Sequence, residues 1–191
     1  MNINTDDNKE QALVLFGSPR KNGFTKKLLN EFLPMIEHDY AIKLIDSYQY
    51  NINPCSGCGV CENIDGCCYN DFDEIDDLLR KANLLIIASP IYNLSFPAPL
   101  KSIFDRMQRY YSARFVRNIY PVMDKPKKAI LLLTSGADGY IGCDIMKRQV
   151  KLISTVINTK LVDTILWNNT DSSKATDLPY QDIVSAVQLL K

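Results

Sequence analysis

Two stretches of the chain combine residue types and spacings suited to chemistry. In the first, an apolar run from Ala12 to Phe16 gives way to GSPRKNGFT, which brings Ser18, Arg20, Asn22, Gly23 and Thr25 together just ahead of an amphipathic segment. Hydroxyls, an amide, a flexible backbone position and a permanently charged planar guanidinium thus gather where a helix should begin. A helix N-terminus presents unpaired N–H groups and partial positive charge, which is what a phosphate monoester needs. Ordinary strand-to-helix turns use the same small residues, but the coincidence of hydroxyl, guanidinium and helix start favours the anion. No Lys follows a GxxxxG spacing and no GxGxxG occurs, so neither a nucleoside-triphosphate P-loop nor a dinucleotide fingerprint is present.

In the second stretch, Cys55, Cys58, Cys61 and Cys67 follow C-x2-C-x2-C-x5-C, with Cys68 adjacent. A disulfide framework is unsuited to a cytosolic chain with this crowding. The spacing is close to ferredoxin-type ligation of a 4Fe-4S cluster by four thiolates. Four thiolates also suit tetrahedral zinc, and reduced structural cysteines are the third alternative. Cys143 is isolated and should pack as a small hydrophobe. His38 is the only histidine, which removes Ser–His and His–metal constellations; it is expected to end the first helix as a C-terminal cation. Asp73, Glu74, Asp76 and Asp77 read as a solvated helix face.

The elements that must position these residues follow from apolar periodicity. Ala12–Phe16 is a buried strand, and Leu28, Leu29, Phe32, Leu33 and Ile36 mark a helix from about Thr25. Ile42, Leu44 and Ile45 form a second strand ending near Tyr48. A second helix should start at an Asp71 N-cap with Glu74 in the capping-box position, and carries Ile75, Leu78, Leu79 and Ala82. LLIIA at Leu84–Ala88 reads as a central strand covered on both faces. A proline-rich loop, SPIYNLSFPAP, precedes a third helix from about Ala98, where Asp105 and Arg106 are expected to form a structural ion pair. An aromatic and basic run, RYYSARFVRNIY, comes next. Ala129–Thr134 is the fourth strand, followed by SGADGYIG and a helix with Ile145, Val150, Ile153 and Ile157. Leu161–Trp167 is the fifth strand. Tyr180–Leu190 is the last helix, capped near Asp177. Alternating strands and helices imply an α/β fold with a five-stranded parallel sheet. Ligands of such sheets sit at the carboxyl ends of the strands, where the loops Gly17–Thr25, Ser89–Pro97 and Ser135–Gly142 converge.

A chain of 191 residues, 46% hydrophobic and 23% charged, is expected to be one domain, residues 1–191, with residues 1–11 a flexible leader. Lys plus Arg equals Asp plus Glu at 22 each, which argues against nucleic acid or an anionic membrane as partner. No apolar stretch approaches the length of a membrane span. The polar, acidic N-terminus is neither a signal nor a transit peptide, and a cytoplasmic location follows.

GSPRKNGFT, ASPIYNLSFPAPLKSIFDR and LLLTSG together resemble the NAD(P)H-dependent FMN reductase family, from about Ala12 to Trp167. The resemblance implies a flavodoxin-like three-layer sandwich with strand order 2-1-3-4-5. It implies FMN as cofactor and NAD(P)H as electron donor. Ser18, Arg20, Asn22, Gly23, Phe24 and Thr25 would hold the FMN phosphate. Pro90, Ile91, Tyr92 and Asn93 would line the isoalloxazine ring, and Thr134, Ser135 and Gly136 would close its other edge. Where many relatives carry small glycine-rich residues, this chain has Leu94, Ser95 and Phe96, a change on the face where a nicotinamide would stack. The cysteine spacing is similar to that of the iron–sulfur flavoproteins, a branch of the same superfamily. Relatives there place the fourth cysteine just ahead of an aspartate at a helix start, which selects Cys67, followed by Asp71, over Cys68.

The expected function is an FMN-dependent oxidoreductase passing electrons from NAD(P)H to a small-molecule or protein acceptor. The alternative is an iron–sulfur flavoprotein acting as an electron carrier fed by ferredoxin. Flavodoxin proper is strongly acidic, which this neutral chain is not. A flavin-binding regulatory module is the third reading. Tyr110, Tyr111, Phe115 and Tyr120 among Arg109, Arg114 and Arg117 read as a homodimer interface rather than a nucleic-acid surface.

Overall fold

The structure is a computed structural model that describes residues 9–171 and 177–191. Five strands form one all-parallel sheet in the order β2-β1-β3-β4-β5. They are β1 (Glu10–Phe16), β2 (Tyr40–Asp46), β3 (Leu84–Pro90), β4 (Lys127–Thr134) and β5 (Thr159–Trp167). Among the described residues six α-helices connect and cover them: α1 (Phe24–Phe32), α2 (Asp73–Lys81), α3 (Ala98–Arg106), α4 (Gln108–Phe115), α5 (Tyr140–Val156) and α6 (Tyr180–Gln188). This is the flavodoxin-like order expected from the sequence, with the chain reversing direction across the sheet between β1 and β3. Of the expected leader, residues 1–8 lie outside the described residues, whereas Glu10 and Gln11 belong to β1 and pair with Tyr40 and Ala41.

Side chains alternate across each strand, so the sheet carries a core on each face. Leu13 and Leu15 of β1 join Ile75 and Leu79 of α2, Leu100, Ile103 and Phe104 of α3, and Met146 and Val150 of α5. Ala12, Val14 and Phe16 point the other way, against Leu28, Leu29 and Phe32 of α1 and Ile183 and Ala186 of α6. Leu84–Ser89 is buried throughout, as a strand covered on both faces must be. Cys143 packs in the first core, as its isolation implied.

Several local expectations are corrected. Asp71 does not cap α2; Phe72 occupies that position and no side chain caps the helix. Asp71 Oδ2 instead accepts from the Asn53 backbone N–H at 2.7 Å and from Asn53 Nδ2 at 2.9 Å, and Glu74 accepts from the Tyr50 hydroxyl. Both acids thereby tie down the start of the cysteine-bearing loop. Glu74 thereby pushes the Tyr50 phenol up to about 12. Arg106 pairs with Asp71 rather than Asp105, which pairs with Lys101 one turn back. α1 ends at Phe32, so His38 lies in the exposed turn before β2, beside Asp39. α6 starts at Tyr180 behind Pro179, not at a cap on Asp177. The aromatic and basic run is partly helical: α4 buries Arg109, Tyr110, Ser112 and Ala113, a face mixed in polarity and therefore invisible to apolar periodicity.

Candidate functional site

At the carboxyl edge of the sheet, a cavity of about 100 Å³ is lined by Ser18, Arg20, Gly23, Phe24, Thr25, Pro90, Ile91, Tyr92, Thr134 and Gly136. Thr170 and Asp171, beyond β5, complete it. Three of the expected residues, Asn22, Asn93 and Ser135, stand outside this lining. Gly23 is the N-cap of α1 and no side chain caps that helix, so its first turn faces the cavity without a protein acceptor. Ser18 is buried and its Oγ accepts from the Arg20 N–H at 3.3 Å. At the cavity floor the Thr25 and Thr134 hydroxyls meet at 2.7 Å, which locks the start of α1 to the end of β4. Gly17 holds this loop close to α3: a Cβ there would lie 2.4 Å from Leu100 Cδ2.

The loop after β3 is pinned from both sides. Ile91 N–H donates to Thr134 O at 2.8 Å, and the Ile91 side chain fills the space where a Cβ on Gly142 would fall. Tyr92 and Ser95 exchange both backbone hydrogen bonds at 2.9 Å around Asn93 and Leu94, with φ of 51° and 60°. Two successive left-handed residues are the geometry of a two-residue I′ turn, which glycine adopts most easily and leucine rarely. The turn leaves Tyr92 40% exposed on the rim, whereas Phe96 is buried edge-on against Phe104 at 4.7 Å. Tyr92 is therefore free to lie against a ring, and Phe96 is core.

Asp171 and Thr170 escaped sequence reasoning because they follow the last strand with no motif around them. The structure fixes them through Thr170 N–H to Ser135 O at 2.9 Å and Asp171 N–H to Gly136 O at 3.1 Å. A Cβ on Gly136 would come within 2.3 Å of Asp171 Oδ2, so only glycine lets that carboxylate reach the cavity.

The cysteines line a second cavity, of about 400 Å³, together with Arg106, Arg109 and Ser112. They do not converge as the spacing suggested. Cys58 Sγ lies 3.2 Å from Cys68 Sγ, Cys61 Sγ lies 3.4 Å from Ser112 Oγ, and Cys67 faces the Arg106 guanidinium. Among the described residues no three His, Cys, Asp or Glu side chains gather as a metal site. Cys68, not Cys67, is the sulfur neighbour of Cys58. The Val60 N–H and the Cys68 thiol hold Cys58 below the ordinary thiol value, and Cys58 in turn pushes Cys68 up.

Two buried arginines floor this cavity. Arg106 donates to Asp71 Oδ1 at 2.6 Å, to Asn53 O at 2.9 Å and to Tyr69 O at 3.0 Å. Arg109 lies 3.4 Å from Asp76. Asp76 also accepts from Tyr110 at 2.6 Å and Arg80 at 3.0 Å, and burial, then Asp76, raises the Tyr110 phenol well above its ordinary value.

A parallel sheet in this order, with an uncapped helix start and hydroxyls around a cavity at its carboxyl edge, defines a doubly wound α/β protein of the flavodoxin-like class. The family model for NADPH-dependent FMN reductases matches residues 11–162, and the chain belongs to that family of oxidoreductases. Among curated proteins it is 34% identical over 102 residues to an iron-sulfur flavoprotein of Archaeoglobus fulgidus, covering 52% of this chain and 46% of that one. An iron-sulfur flavoprotein of Methanosarcina thermophila is 35% identical over 92 residues, covering 47% and 48%. The chain thus spans about half the length of the curated relatives it matches. Among solved structures, an NAD(P)H:quinone oxidoreductase from Methanothermobacter marburgensis superposes with a TM-score of 0.72 at 20% identity over 94% of each chain, a likeness of fold. Among the described residues no helix is long and apolar enough to cross a membrane.

Proposed function

We propose that the protein is an FMN-dependent oxidoreductase that takes electrons from NAD(P)H and passes them to a small-molecule or protein acceptor. The observation that carries this reading is the cavity at the start of α1, whose Ser18, Arg20 and Thr25 surround a helix N-terminus with no capping side chain. A cavity of about 100 Å³ suits a phosphate ester but not a three-ring system, so the ring would lie over the rim beside Pro90, Ile91 and Tyr92. Asp171 offers a carboxylate acceptor to hydroxyl groups between the two, in the space that Gly136 leaves open. Bound there, FMN would supply the two-electron chemistry that links a nicotinamide donor to the acceptor. The I′ turn at Asn93 and Leu94 holds the backbone of the ring-facing loop at fixed positions, and Tyr92 supplies an aromatic face.

This reading places the protein in the cytoplasm and, through exposed Tyr111, Phe115, Val116, Ile119 and Tyr120, pairs it with a second copy. Arg20→Ala tests the phosphate assignment. Loss of a charge-assisted hydrogen bond weakens FMN by about tenfold to a hundredfold. The exposure of Arg20 argues for the lower end. Riboflavin, which lacks the phosphate, should bind almost unchanged; equal weakening of both ligands removes Arg20 from the site. A second reading, an electron carrier with an iron–sulfur cluster, draws on five cysteines lining one cavity and on the names of the curated relatives. Iron and acid-labile sulfide assayed in anaerobically prepared protein separate the two.

A further inference from the structure

We infer that Cys58 and Cys68 form a dithiol site that closes to a disulfide by exchange with a low-molecular-weight disulfide such as oxidised glutathione. The pair is singled out by placement. Their sulfurs are 3.2 Å apart, and both side chains are exposed. The other four thiols are placed differently: Cys61 touches Ser112, Cys143 is buried in the core, and Cys55 and Cys67 lie on the cavity wall.

The backbone permits the remaining movement. A disulfide needs a sulfur–sulfur distance of about 2.05 Å, so the thiols must approach by roughly one ångström. Cys58 sits between Gly57 and Gly59, both left-handed with φ of 67° and 73°. A Cβ on Gly57 would meet nothing within 4 Å, and one on Gly59 only the Glu62 carboxylate at 3.9 Å. Cys58 is therefore at the tip of an open double turn, and a small rotation at Gly57, beside which there is free space, moves its sulfur.

The exchange runs in two displacements. The Cys58 sulfur attacks one sulfur of the small disulfide; a Cys58 mixed disulfide forms and one small thiol leaves with the proton lost from Cys58. The Cys68 sulfur then attacks the Cys58 sulfur of the mixed disulfide, and the second small thiol leaves with the proton lost from Cys68. Two protein thiols are oxidised to one disulfide, and one small disulfide is reduced to two thiols. The closed pair removes Cys58 from any thiolate ligand set in the cavity, so the site responds to the thiol–disulfide balance around it.

The test uses the full chain, purified anaerobically with reductant, freed of it, and treated with oxidised glutathione. After the remaining thiols are alkylated, the intact mass should show one disulfide and four alkylated cysteines. Trypsin has no site between the two residues, but a glutamyl endopeptidase cuts at Glu62. The fragments on either side should stay linked, with alkylated Cys55, Cys61 and Cys67 assigned by fragmentation. Cys68→Ser should trap the first step as a single glutathionyl adduct on Cys58. A link through Cys55, Cys61 or Cys67, six alkylated thiols after treatment, or iron-loaded protein in which Cys58 stays blocked would each overturn the inference.

Discussion

Arg106→Met isolates the interaction that anchors the cysteine-bearing loop. Arg106 is 2% exposed, and its guanidinium spans three acceptors drawn from two ends of that loop: Asn53 O, Tyr69 O and Asp71 Oδ1. Truncating one partner of a buried ion pair costs about 3–5 kcal/mol, because the other charge stays without compensation. Two terms reduce this. Asp71 keeps both hydrogen bonds from Asn53, and its side chain is 21% exposed, so water reaches the abandoned carboxylate. Methionine also retains apolar contact with Phe72 and Tyr69, over which the guanidinium now lies at 5.7 and 5.2 Å. The net expectation is a loss of about 3 kcal/mol, near the lower end of that range. Reversible urea unfolding at saturating FMN measures it, and for a chain of this size Tm should fall by roughly 6–12 °C. The anchor lines the same cavity as Cys67, so the alkylation rate of that thiol should rise in the same variant. A loss below about 1 kcal/mol with an unchanged Cys67 rate would show that the loop is held by something other than this arginine.

Three further outcomes follow from the geometry. Thr134→Val strands the buried Thr25 hydroxyl and should cost about 1–3 kcal/mol in denaturant unfolding; no loss would mean that Thr25 has a second partner. Leu94→Gly should stabilise the chain by about 0.5–1 kcal/mol, since leucine holds a left-handed φ of 60° at an exposed turn; destabilisation beyond 1 kcal/mol would refute a strained turn. Burial, then Lys125 and Arg80, lowers the Lys127 ammonium to about 8. Between that value and the unfolded one near 10.4 the unfolded chain holds more protons, so stability should rise with pH. The gain from pH 7.5 to 9.5 is about 2 kcal/mol, and it should vanish in Lys127→Met. Equal slopes in the two proteins would remove Lys127 as the cause.

Much of the architecture was legible because it depends on neighbours in the chain. Leu84–Ala88 is apolar at every position, and only a strand covered on both faces accommodates that. The residues that line the cavity after β1 were legible for the same reason: Ser18, Arg20, Gly23 and Thr25 lie within one turn between a strand and a helix, so their proximity is covalent before it is tertiary. Helix starts were less legible, because Asp71 and Asp177 have the chemistry of a cap, and whether each serves as one depends on what else it meets. For Asp71 the competitor was Arg106, 35 residues away, whose burial makes a carboxylate partner worth more than a helix end.

The residues left to the tertiary structure are those joined across long sequence separations. Asp171 reaches the cavity only because Gly136 has no side chain to block it, a fit between two loops that neither loop encodes alone. The cysteine spacing announced soft-ligand or redox chemistry but not which sulfurs meet. An i, i+3 repeat in a loop sets no fixed direction for its side chains, and the partners are assigned by what surrounds them. An open double-glycine turn brings Cys58 to Cys68, ten residues on, whereas Cys61 meets Ser112 of α4. Local propensity and apolar period determined the elements and the loop after β1; the identity of each distant partner was decided by desolvation, which acts only once the chain has folded and the competing groups are buried together.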